Sequence, residues 1–265
     1  MMLFIKILWM MNMLKLGMNS LLLMLFSGFA VAGSMGDAAP DYRGFWIGAG
    51  GSYNYSTING STHINQVSST PSSSQFLLSD NLSNHMAPVV NAGYYFELPN
   101  QWYLGAKFLY KYISQEQFDQ SYSTTFTDGS YQTAGLRTKF IQDFYLLASG
   151  AYQFGPWLMH AGMGPAWATV QVNLNGDVLP PSSLVFIPEN MSQSKTIIGG
   201  AGQVGFEYML PNRFMVDISY AFLATPTTDV PAVNFATTTT IGFTRFSQNV
   251  NVVEQGINIT LNKYF

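Results

Sequence analysis

The sequence predicts an all-β fold, an eight-stranded antiparallel transmembrane β-barrel, on three observations. Long segments alternate apolar and polar residues with a period of two, as a strand with one apolar face requires. Three tight-turn signals, LPNQ (Leu98–Gln101), FGPW (Phe154–Trp157) and LPNR (Leu210–Arg213), alternate with four long polar stretches. Only 9% of the 265 residues are charged while 15% are aromatic. That is too few charges for a soluble surface and too many aromatics for a disordered chain.

The first segment reads as a processing signal. Lys6 and Lys15 precede the apolar run Leu21–Val31, and Ala30-Val31-Ala32 supplies the small-residue pattern of a cleavage site. The expected organisation is a leader at 1–32, a short lead-in at 33–44 and a barrel domain at 45–265. Without Lys6 and Lys15 the chain has nine Lys and Arg against fourteen Asp and Glu, a net charge of −5. A nucleic-acid partner, which wants a basic stripe, is not expected. The chain has no cysteine, so it offers neither disulfides nor thiolate metal sites. No later stretch approaches the roughly twenty apolar residues of a membrane helix. A membrane-embedded chain of this kind must therefore be a closed barrel, which satisfies every strand's backbone groups.

Each strand has its own parity. The first, Phe45–Tyr55, is rich in glycine, and so is the fifth, Trp157–Val172. In the second, Val90, Ala92, Tyr94, Phe96 and Leu98 oppose Asn91, Gly93, Tyr95 and Glu97. The third sets Trp102, Leu104, Ala106, Phe108 and Tyr110 against Gly105, Lys107 and Lys111. The fourth sets Phe144, Leu146, Ala148, Tyr152 and Phe154 against Asp143, Ser149 and Gln153. In the sixth, Ile198, Val204, Phe206, Tyr208 and Leu210 oppose Gln203 and Glu207, and in the seventh Phe214, Val216, Ile218, Tyr220 and Phe222 oppose Asp217 and Ser219. The eighth, GINITLNKYF (Gly256–Phe265), puts Ile257, Ile259, Leu261 and Phe265 outside. The polar stretches between hairpins, about Ile58–Met86, Ser114–Thr138, Asn173–Lys195 and Ala224–Gln248, are expected to be long loops.

On the apolar parity, Phe45, Phe96, Trp102, Phe154, Trp157, Tyr208, Phe214 and Phe265 fall beside the short turns or the chain ends. One ring at one level is the expectation for an interfacial girdle. Leader, eight strands, short turns and the terminal Lys263-Tyr264-Phe265 together resemble the small outer-membrane β-barrel proteins of the OmpA/OmpX type of Gram-negative bacteria. The resemblance spans essentially the whole mature chain. It implies outer-membrane location, contact with membrane lipids and lipopolysaccharide, and a C-terminal strand (Ile257, Ile259, Leu261, Tyr264, Phe265) read by the barrel-assembly machinery. The soluble peptidoglycan-binding domain of full-length OmpA has no counterpart in this sequence, and that function is not carried over.

Chemistry is sparse. Gly200–Gly205 (GAGQVG) matches G-x-G-x-x-G, but it lies inside a strand rather than between a strand and a helix, so no nucleotide cofactor is expected. His63 and His85 read as solvated loop residues, and His160 lies on the luminal parity of the fifth strand. No His/Asp/Glu group has recognisable metal spacing, and no catalytic constellation is evident. A membrane-embedded lipopolysaccharide-modifying enzyme is the least favoured reading. The luminal charges are Glu97, Lys107, Lys111, Asp143, Glu207 and Asp217. In a barrel just wide enough for side chains they must pair, giving a packed polar plug. Two function classes follow: a non-enzymatic structural or surface-interaction protein meeting host or environmental ligands through its loops, or a narrow pore or hydrophobic-solute conduit.

Overall fold

The computed structural model describes residues 41–67, 72–125, 131–179, 191–237 and 242–265. The expected leader falls outside them. The described residues form nine strands: β1 (Gly44–Val67), β2 (Ser72–Leu98), β3 (Trp102–Thr125), β4 (Tyr131–Phe154), β5 (Trp157–Leu179), β6 (Met191–Leu210), β7 (Phe214–Ala224), β8 (Thr228–Thr237) and β9 (Gly242–Tyr264). Neighbours pair antiparallel in the order β1-β2-β3-β4-β5-β6-β7-β9-β8, and β1 pairs back to β9. β7 and β8 share β9 end to end, from Phe214 opposite Lys263 to Ala224 opposite Val253, then from Thr228 opposite Val250. They are one stave of the barrel, interrupted at Thr225–Thr227. Pro226 cannot donate to a ladder there, and Thr225 Oγ instead accepts the Val252 N–H at 2.8 Å. The result is a closed eight-stranded antiparallel barrel.

The three predicted tight turns join β2 to β3, β4 to β5 and β6 to β7. Asn100 and Asn212 follow the turn prolines with φ of 64° and 62°, the left-handed conformation that asparagine tolerates best after glycine. Closure at the other side of this rim comes from the Phe265 N–H, which donates to the Phe45 carbonyl at 2.9 Å.

The alternation becomes an inside and an outside. Ile47, Val90, Leu104, Leu146, Val204, Ile218, Ile257, Ile259 and Leu261 all face outward and are exposed. An apolar belt of that extent is the lipid-facing surface of a transmembrane barrel.

The predicted long loops are a correction. Most of Ile58–Met86, Ser114–Thr138, Asn173–Lys195 and Ala224–Gln248 continues the flanking strands. β1 pairs with β2 out to Gln66 opposite Ser72, and β3 with β4 out to Thr125 opposite Tyr131. Apolar alternation signals a strand only where one face meets lipid or core. Backbone pairing needs no apolar alternation, so the ladder continues where the sequence pattern stops.

Two seams interrupt this upper wall. The described β2–β3 ladder runs from Leu98 opposite Trp102 only to Val89 opposite Lys111, although both strands continue. Pro88 stands where it stops, and Ser114 takes a φ of 46° next to a register shift between Tyr112 and Gln115. Pro88 has no N–H to offer and the bulge turns β3 aside. The described β6–β7 ladder likewise ends at Gly200 opposite Ala224. There β7 itself stops, and beyond it Lys195 of β6 still donates to the Asp229 carbonyl of β8 at 2.5 Å.

Candidate functional site in the barrel lumen

The interior is layered along the barrel axis. At the short-turn end Tyr42, Trp46, Tyr95, Tyr103, Leu158, Met215 and Tyr264 form a buried, largely aromatic cluster. Tyr42, from the lead-in before β1, stacks edge-on against Tyr103 and Tyr264, each at 6.1 Å. Its hydroxyl donates to the Pro156 carbonyl at 2.6 Å, which ties the lead-in to the β4–β5 turn. Gly93 makes room for the Trp46 ring, since a Cβ there would lie 2.5 Å from it. Toward the other end Val89, Leu109, Leu147, Ala166, Val170, Ala201, Leu223, Val250 and Val252 belong to a second, aliphatic cluster.

Between these clusters lies a layer of charge. Along β3, Lys107 sits between Tyr103 and Leu109. His160 lies between Leu158 and Ala166 on β5, and Asp217 between Met215 and Ala221 on β7. Lys107 donates to Asp217 and stands 4.0 Å from Glu207. The His160 Nε2 lies 3.2 Å from the Asp217 Oδ1 and 3.7 Å from the Glu207 Oε1. The Tyr95 hydroxyl reaches the same Glu207 oxygen at 3.5 Å. Lysine and both carboxylates are at most 1% exposed.

A second knot lies inside the aliphatic cluster. Lys111 pairs with Glu254 at 2.5 Å and with Asp143 at 3.6 Å. It also donates to Asn54 at 3.2 Å and Tyr145 at 3.1 Å, and the Tyr145 hydroxyl donates to Asp143 at 2.7 Å. Each knot thus holds one ammonium against two carboxylates.

Of the six luminal charges expected from sequence, Lys107, Lys111, Asp143, Glu207 and Asp217 are buried here, and Glu97 is not. Glu97 has the luminal parity but stands at the rim, 45% exposed, with Arg43 at 3.3 Å. Water is within its reach because it lies one residue from the turn. Arg43 also clasps Asp41, and this hydrogen bonding holds the Asp41 carboxyl below its usual range. Glu254 was missed. It shares the luminal parity of Gly256 and Asn258, but it follows Val250 and Val252 on that same face, which hides the polar row.

Two histidine readings change. His85 is a buried residue of β2 with its ring 3.4 Å from the Ser56 hydroxyl, because the expected loop around it is strand. His63 lies in β1, and its side chain lies outside those described. His160 joins Glu207 and Asp217 with ligand atoms within 4.8 Å of one another. Their spacing in sequence gave no hint of this, since they come from three strands. The plug expected to be polar is ionic only in part, with apolar layers above and below its charges. The GAGQVG run lies within β6 and is followed by another strand.

Outside, Phe45, Phe96, Trp102, Phe214 and Phe265 are exposed near the short turns, with Phe154, Trp157 and Tyr208 partly so. Phe45 meets Phe265 at 6.2 Å, Trp157 meets Tyr208 at 4.7 Å, and the Lys263 ammonium lies 4.6 Å over Phe214. Ile257, Ile259 and Leu261 point outward too, whereas Tyr264 points into the aromatic layer.

The family model for the outer membrane protein beta-barrel domain matches residues 21–251. Comparison with curated proteins gives no match. Among solved structures the chain is similar to Neisserial surface protein A, with 12% identity over 86% of this chain and 100% of that one, at a TM-score of 0.35. It is also similar to the outer membrane protein OprG from Pseudomonas aeruginosa, with 11% identity, 86% and 100% coverage and a TM-score of 0.39. For Ail, the attachment invasion locus protein of Yersinia pestis, the figures are 10% identity, 77% and 98% coverage and 0.31.

Proposed function

The chain belongs to the outer membrane protein beta-barrel domain family, and from that premise we propose a non-enzymatic outer-membrane protein with a sealed lumen that works through its outer surface. The observation that carries this reading is the stacking of aromatic, ionic and aliphatic layers, all buried, across the lumen. A continuous water path would have to break paired charges and open packed apolar layers on both sides of them. With the interior filled, the extended hairpins β1–β2 and β3–β4 supply the surface that can meet host or environmental ligands. The outward aromatic residues near the short turns serve as a girdle against lipid and lipopolysaccharide. Gly256–Phe265 is the segment for recognition by the assembly machinery.

Cells displaying the full-length protein provide the test. In the variant, segments 68–71 and 126–130 are replaced by two-residue Asn-Gly turns. The expected outcome is loss of attachment to host-cell or abiotic surfaces with an unchanged amount of folded barrel. Unchanged attachment would contradict the surface role.

The β2–β3 seam favours a second reading, a conduit for hydrophobic solutes through the upper wall. Met86 (81% exposed) and Tyr112 (48%) flank it, so its margin is apolar. Uptake of an alkane by proteoliposomes, lost when cysteines at Met86 and Ser114 are cross-linked, would support the conduit. Uptake that persists across the closed seam would exclude it.

A further inference from the structure

We propose that His160, Glu207 and Asp217 form a binding site for a divalent transition cation of the zinc or cobalt class, which takes the place of the Lys107 ammonium. The three ligand atoms are buried and lie within 4.8 Å of one another. Bonds of about 2.1 Å to such a cation separate adjacent ligand atoms by about 3.0 Å at right angles and about 3.4 Å at the tetrahedral angle. The His160 Nε2 is 3.2 Å from Asp217 and 3.7 Å from Glu207. Both His160 distances therefore lie within a few tenths of an ångström of those spacings, and the two carboxylate oxygens, within 4.8 Å of each other, close onto the ion once the Lys107 ammonium leaves them. One imidazole and two carboxylates also suit borderline metals of this class.

Charge and unused atoms point the same way. Among the described residues the buried lumen holds two ammoniums, Lys107 and Lys111, against four carboxylates, Asp143, Glu207, Asp217 and Glu254. With all four carboxylates ionised and the histidines neutral, two negative charges would stay uncompensated in a region where unpaired ions are costly. One dication balances them. The buried Glu207 Oε2 has no hydrogen-bond partner among the described residues, so that carboxylate has a second oxygen to offer. Lys107 presses on the other Asp217 oxygen, Oδ2, and its ammonium lies 5.4 Å over the Trp46 ring. That ring gives the displaced ammonium a cation–π seat. The aromatic and aliphatic clusters cover the layer from both ends, so the ion is captured as the barrel closes and is exchanged slowly afterwards.

The competition with Lys107 separates this site from a purely structural ion cluster. The experiment uses the untagged mature chain refolded into detergent with Co(II) or Zn(II), then desalted, with metal measured by mass spectrometry and Co(II) by its visible absorption. The control H63Q/H85Q removes the other two histidines. The expected result is about one ion retained per chain, with the band intensity of a low-coordinate Co(II) site. H160Q and D217N should abolish retention while heat-modifiable migration shows that the barrel still folds. K107M should bind about tenfold more tightly, since it removes a neighbouring like charge. Retention that survives H160Q, weaker binding in K107M, or no retained metal in the wild type would each overturn the assignment.

Discussion

Asp217 ties three strands together across the lumen, since Lys107 of β3 holds one of its oxygens and His160 of β5 the other. Removing one partner of such a buried pair leaves a desolvated charge, which costs far more than the pair contributes net. In the presence of chelator, K107M and D217N should each destabilise the barrel by about 3 kcal/mol, and the double variant should cost clearly less than their sum. Urea unfolding in detergent micelles measures this, and strict additivity would mean that water screens the pair. This pairing is only half legible in the sequence. Lys107 and Asp217 share a polar parity, and a narrow barrel brings opposite walls within reach. Which carboxylate meets which ammonium depends on the stagger between strands, and no single strand records that. Glu97 shows the limit of parity alone. It is luminal in phase, but its height on the wall places it at the rim beside Arg43.

At the level of the elements, the hairpins at the tight turns were readable because their signals are chemical: Pro99 and Pro211 fix the entry angle, and Asn100 and Asn212 accept a positive φ. The upper strands were not readable. Thr57–Val67 or Ser114–Thr125 carry no apolar face, so the pattern that marks β2 from Val90 to Leu98 is missing although the backbone still pairs. The division of the upper wall at Pro88 and Ser114 has a local cause and a measurable consequence. Amide protons of β2 that face β3 should be protected between Asn91 and Phe96, and should exchange faster by at least an order of magnitude between Ser83 and Ala87, because ladder bonds are what slow local opening. Deuterium exchange followed by NMR checks this. Uniform protection along β2 would mean that the ladder continues past Val89.

For the whole molecule, the barrel reconciles two demands that a soluble sandwich would meet differently. An apolar belt faces lipid, and inside the lumen an aromatic and an aliphatic cluster lie to either side of the Lys107 layer. The outer belt was legible because alternation reports it directly. The inner aliphatic cluster was not, because Leu109, Leu147, Val170 and Val252 occupy the polar phase of their strands and read as noise against it. In the proposed function these layers seal the lumen. Single-channel recording of the refolded protein in a planar bilayer tests it most directly. The layered lumen predicts no stepwise conductance in molar potassium chloride for the wild type, with steps appearing only when the aromatic and aliphatic layers are both thinned, for example in Y95A/L109A/L147A. Stable ohmic steps from the wild-type protein would contradict it.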